Sequence, residues 1–262
     1  MTSTTTTRPV PTGNAQAPGP AIPGIPFGRL LRVEWDKATN TRAARWLLGL
    51  LAASTVGLML APLLAPSSID QTYTSYLSFP ATALAILLPV VAILTLTSEW
   101  SQRTALTTFT QEPRRTRVIT AKVAVSLLLA GAAAVFGALT TAAGLGVAAA
   151  TGRELDANLT AGVLVGYLLS VLLNVLMGVA LGALLHNSAA AIVLSFALPT
   201  AFALLGLALK PWADWIDPST TLTWLLQGQW SGHLPQILVS VAVWVAIPLA
   251  AGLVRTVRCE IT

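Results

Sequence analysis

Polar and apolar positions are segregated along this chain: long runs of Ala, Leu, Val and Ile alternate with short stretches that hold nearly all the charge. Six runs stand out, at residues 46–65, 79–97, 118–150, 159–185, 189–209 and 237–254. Each is apolar on every side of a helix rather than along one stripe, and a hydrocarbon core of about 30 Å requires roughly 20 such residues. The pattern predicts an all-α integral membrane fold with six transmembrane helices. A membrane barrel would instead show alternating segments of about ten residues.

The polar stretches predict the remaining elements. Residues 1–26 are rich in Thr, Pro and Gly, with Arg8 their only charge, and are expected to form a disordered cytosolic tail. No secretory signal is expected there, because no apolar run begins before Trp46. Residues 27–45 place Phe27, Leu30, Leu31 and Trp35 near helical spacing among five basic residues, which predicts an amphipathic helix along the inner membrane surface. The 33 residues of 118–150 exceed a simple crossing, so that helix is expected to project or to bend at Gly131, Gly137, Gly144 or Gly146. Before the last run, Asp217-Pro218-Ser219 has the form of a helix start and four tryptophans surround it. A short extracellular helix with an aromatic belt is expected here, before the short cytosolic tail of residues 255–262.

Composition narrows the function more than it names it. With 55% hydrophobic and 10% charged residues, the chain lies outside the range of soluble domains. The formal charge of +5 arises from bases beside the spans, not from an aromatic-interleaved basic face, so no nucleic-acid partner is expected. Placing those bases inside puts both termini in the cytoplasm. One cysteine, Cys259, precludes an internal disulfide. No glycine-rich phosphate loop, metal-ligand spacing or nucleophile with a neighbouring base occurs, so no catalytic, cofactor or metal residue is assigned. The middle of each predicted span lacks Asp, Glu, Lys, Arg and His, which disfavours an ion-driven carrier. His186 is expected to be a solvated turn residue.

Two stretches carry candidate function. In the fourth run, Gly162, Gly166, Ser170, Asn174, Gly178 and Gly182 recur at every fourth position, a ridge that permits close helix contact within the chain or at a subunit interface. Asn174 can hydrogen-bond across helices or touch cargo. Between runs two and three lies TSEWSQRTALTTFTQEPRRTRVITAK. A helix capped by Thr97 or Ser98 with Glu99 in its first turn is expected, then a short in-plane helix over Thr104 to Phe109. Pro113 ends that helix, and Arg114, Arg115 and Arg117 face headgroups or an acidic partner.

This segment resembles the coupling segment of ABC-2 type transporter permeases, particularly the short six-span permeases of actinobacteria. Glu99 and Trp100 match an acid-aromatic pair, Thr104 a threonine, Pro113 with Arg114 and Arg115 a proline-basic turn, and Lys122 the lysine opening span three. FGRLLRVEWDKATNTRAARWLLGLL is similar to the family's interfacial helix and first span, with Glu34 and Lys37 at its acid and lysine positions. Gln102-Arg103 departs from the glycine that many relatives carry before the threonine. The resemblance implies a permease in the bacterial plasma membrane, paired with a second permease chain and bound to two copies of a cytosolic ATPase subunit. That partner would hold ATP and Mg, and export would be the direction. A non-transporting membrane anchor or immunity protein, and an ATP-independent carrier, share the same composition.

Overall fold

A computed structural model describes residues 25–102, 104–112, 114–156, 159–206 and 212–258. The predicted tail through residue 24, Arg103, Pro113, Lys210 and Cys259 lie outside the described residues. The chain is helical, and no strand occurs among the described residues. In order, the helices are α1 (Phe27–Asn40), α2 (Arg42–Leu58), α3 (Leu60–Leu64), α4 (Tyr73–Ser101), α5 (Ala105–Gln111), α6 (Arg115–Ala150), α7 (Ala161–Leu185), α8 (Ser188–Gly206), α9 (Ala213–Ile216), α10 (Pro218–Leu226), α11 (Leu234–Val241) and α12 (Ile247–Arg258). A π-helical turn, Ala242–Ala246, joins the last two. Six helical stretches are long and apolar enough to cross a membrane: Arg42–Leu64, Tyr73–Ser101, Arg115–Ala150, Ala161–Leu185, Ser188–Gly206 and Leu234–Arg258. This is a multi-pass membrane protein.

The core lies between α4 and α7, with α6 against both. From α7, Val163, Tyr167, Val171, Val175, Val179 and Ala183 enter it at every fourth position, facing Leu77, Leu84, Leu88, Ala92 and Leu96 of α4. The small-residue ridge lies one position along from that series. A side chain at Gly178 would press on the backbone of Pro89 at 3.1 Å, and one at Gly166 would strike the carbonyl oxygen of Leu225. These glycines let α4 and α10 approach α7 more closely than side chains would permit. A side chain at Gly182 would meet Ile93 and Leu96 of α4, whereas one at Gly162 would meet only Thr160 beside it. In contrast, α8 has a single buried residue, Ala191.

Three expectations are corrected. The N-terminal helix ends at Asn40 rather than Arg45: Thr41 is extended and its hydroxyl accepts from the Ala44 amide, so residues 42–45 begin span one. The buried face of α1 is Leu30, Glu34 and Ala38, while Phe27 and Trp35 are exposed. A carboxylate thus occupies the centre of the face that packs on the bundle. Finally, α6 runs unbroken for 36 residues, and Gly137 and Gly144 serve as contacts for Tyr167 and Met59 rather than as breaks. At 1.5 Å per residue it is about 54 Å long, and its first turns extend alongside α1.

Candidate functional site

The charged cluster is built from three helices that converge at the basic end of the bundle. Glu34 and Lys37 lie one turn apart on α1, Glu99 lies in the last turn of α4, and Lys122 lies two turns into α6. Lys122 Nζ reaches Glu34 Oε2 at 2.7 Å, Glu99 Oε1 at 2.9 Å and the Thr95 carbonyl at 3.1 Å. Lys37 Nζ completes the ring, at 2.8 Å from Glu34 Oε1 and 3.2 Å from Glu99 Oε1. Two carboxylates and two ammonium groups alternate, so the cluster is neutral as a whole.

Burial makes this pairing obligatory. The side chains of Glu34, Glu99 and Lys122 are only 1%, 5% and 2% exposed. An isolated charge at such a position costs several kcal/mol, which is recovered only when partners surround it. Lys37 is the open corner, at 41% exposure. Burial alone would lower its pKa, but hydrogen bonds and charge from Glu34 and Glu99 outweigh this and raise it above the ordinary lysine value.

Glu99 is not in a first helical turn, as expected from the sequence, but in the last turn of α4, which continues to Ser101. A carboxylate is unfavourable at a helix C-terminus. Here the two lysines offset that cost. The Glu99 carbonyl also accepts the Thr104 amide at 2.9 Å, and Thr104 occupies the N-cap position of α5. The short helix α5 is therefore suspended from the residue that anchors the ionic cluster. Thr104 itself is exposed and its side chain makes no capping bond.

A second knot ties the same end together. His186 closes α7 in the left-handed conformation (φ 51°), and its ring stacks on Trp100 with centroids 4.2 Å apart. Its Nε2 lies 2.8 Å from Thr256 Oγ1, and because that hydroxyl donates to the Gly252 carbonyl, Nε2–H is the donor to Thr256. Arg115 donates to the Thr256 carbonyl at 2.7 Å. His186 is thus half-buried and engaged, not a solvated turn residue. Burial first, and the positive charge of Arg255 second, push its pKa down to about 4.

The basic turn divides into two kinds of arginine. Arg117 pairs with buried Glu112 at 2.8 Å and donates to the Ile25 carbonyl, and Arg115 is bound to α12. Both are thus bound within the chain and only partly exposed. The side chain of Arg114 is exposed. Beside α5, a cavity of about 260 Å³ opens between α1, α2 and α4, with Lys37, Glu99 and Thr104 on its wall.

Of the residues singled out in sequence, the structure brings together Glu34, Lys37, Glu99 and Lys122, and separately Trp100 with His186. It leaves Arg114 apart and puts Gly162, Gly166, Asn174, Gly178 and Gly182 along α7. The ionic ring was not foreseen. Its sequence signal was an acid at the centre of the Leu30–Glu34–Ala38 face and a lone lysine inside an apolar run. Among the described residues no group of three His, Cys, Asp or Glu is placed to hold a metal ion. In comparison with known proteins, the sequence matches no family model and no curated protein.

Proposed function

We propose that this chain is the membrane permease of an ATP-driven ABC-2 type exporter, forming the translocation path while a separate ATPase subunit binds ATP and Mg and hydrolyses the nucleotide. The observation that carries the reading is the suspension of α5 from Glu99, whose carboxylate is held by lysines on α1 and α6. A partner that presses on α5 displaces Glu99, and the ionic ring passes that displacement to α1, α4 and α6 together. A short helix set between two long ones and pinned at one end acts as a lever. With the basic end in the cytoplasm, as the positive-inside rule favours, α5 faces the compartment that holds ATP. Arg114 is the exposed charge best situated to meet an acidic partner surface, and a second permease chain completes the path.

The test is affinity purification of the chain from its native cell in mild detergent. An equal amount of a soluble protein with a phosphate-binding loop is the expected result, with ATP hydrolysis that falls when Glu99 is replaced by Gln. Reproducible absence of such a partner would overturn the proposal in favour of a membrane anchor or an ATP-independent carrier.

A further inference from the structure

Two cavities, of about 220 and 170 Å³, meet at Asn174, midway along α7. They lie between α4, α7, α8, α10 and the π-helical turn, and no residue lining either of them is charged. Three features of the walls have one chemical consequence. First, Pro89 and Pro199 each lie within a helix and lack the N–H that would reach the carbonyl four residues earlier. Those carbonyls belong to Ala85 and Ser195, and both residues line the larger cavity. Second, the buried Oδ1 of Asn174 has no hydrogen-bond partner. Third, the hydroxyls of Thr82, Ser170, Ser195 and Thr200 spend their protons on their own helices, and Trp244 Nε1 spends its proton on the Ile216 carbonyl.

The walls therefore hold acceptors that lack donors, Asn174 Oδ1 first among them, beside the amide N–H groups of the same side chain and the Ser219 hydroxyl. A buried amide oxygen without a partner is destabilising, so a tenant that supplies a donor is favoured there. An ionised tenant is not, because no lining side chain carries a compensating charge. The nearest acid in sequence, Asp217, commits both oxygens to Ser219 and Thr220 at the start of α10. The π-helical turn is a further mark of a working site, since such turns concentrate at functional positions and this one presents Trp244 to the cavity.

We infer that this cavity is a binding site for an uncharged amphiphile, with an apolar body and an N–H or O–H donor directed at Asn174 and the proline-released carbonyls. The site stands on the cavity alone and does not depend on coupling to an ATPase.

The experiment is photolabelling of the purified full chain in lipid nanodiscs with octan-1-ol carrying a diazirine, with labelled residues mapped by mass spectrometry. Labelling should concentrate on Met177, Phe196 and Trp244. Unlabelled octan-1-ol should displace it at roughly tenfold lower concentration than octyl methyl ether, which has the same body and no donor, as one or two hydrogen bonds in an apolar site require. Asn174→Leu and Pro199→Ala should each reduce the labelling several-fold. Equal displacement by alcohol and ether, or label spread evenly onto outward residues such as Leu139 and Leu204, would overturn the inference, and neither comparison requires a variant to fold. Protection of Met177 and Phe196 by a second copy of the chain would overturn it too. Failure here leaves co-purification with an ATPase untouched, and the lack of an ATPase leaves the labelling pattern unchanged.

Discussion

Lys122 shows what a single residue contributes at this site. Its ammonium group touches two carboxylates and a carbonyl while almost wholly buried. Lys122→Met should cost about 3–5 kcal/mol, because Glu34 and Glu99 then keep their charge beside only Lys37. Adding Glu34→Gln should recover part of that loss, since the remaining Lys37–Glu99 pair is balanced. Thermal unfolding of the purified protein in detergent checks both, and equal stability of the single and double variants would contradict the ring. At His186 the sign of the pH effect follows from a folded pKa of about 4, below the ordinary 6.5. The folded state binds the proton less readily than the unfolded one, so the residue's contribution is complete above pH 6.5 and is lost as pH falls through 4. His186→Phe keeps an aromatic ring against Trp100 but cannot be protonated. Its unfolding midpoint should therefore fall less than the wild type's between pH 6.5 and 4.

Among the elements, α7 is the one whose sequence is most constrained by its neighbours. Gly178 and Gly166 sit where another backbone approaches, so Gly178→Val and Gly166→Val should each destabilise by about 1–3 kcal/mol through overpacking. Gly162→Ala meets only Thr160 Oγ1 at 3.7 Å and should be close to neutral. Denaturation midpoints of the three variants check the contrast. A ridge that looks uniform in sequence is thus uneven in consequence. The same helix ends at His186, where the left-handed turn directs the ring onto Trp100 and lets the chain reverse into α8.

For the whole molecule, the proposed lever predicts that the arginines of the basic turn separate by experiment. Arg114→Glu should weaken capture of the ATPase partner while leaving thermal stability unchanged, because the side chain is exposed. Arg115→Glu should lower stability as well, because it loses the bond to the Thr256 carbonyl that holds α12 against α6. Quantitative co-purification beside a melting curve for each variant makes the comparison, and identical behaviour of the two would argue against it. The two knots at this end, one ionic and one around His186, join the ends of spans two, three, four and six with α1.

The number and approximate placement of the spans were legible in sequence, because a run such as residues 159–185 must be helical and buried in lipid whatever its neighbours do. The helix start at Asp217-Pro218 was legible for an equally local reason: a side-chain cap and a fixed φ act within one turn, and Asp217 does accept the Ser219 amide. Local reading failed at Glu99, because the C-terminal position of a carboxylate is stabilised by lysines 62 and 23 positions away, on other helices. It failed at His186 for the same reason, its partners being Trp100 and Thr256. Apolarity along the chain is a property of each segment and determines which segments enter the membrane. The pairing of buried charges, the side of α7 that lies against backbone, and the cavity that brings Ala85, Asn174 and Ser195 together depend on which helices meet, and only the tertiary structure decided those.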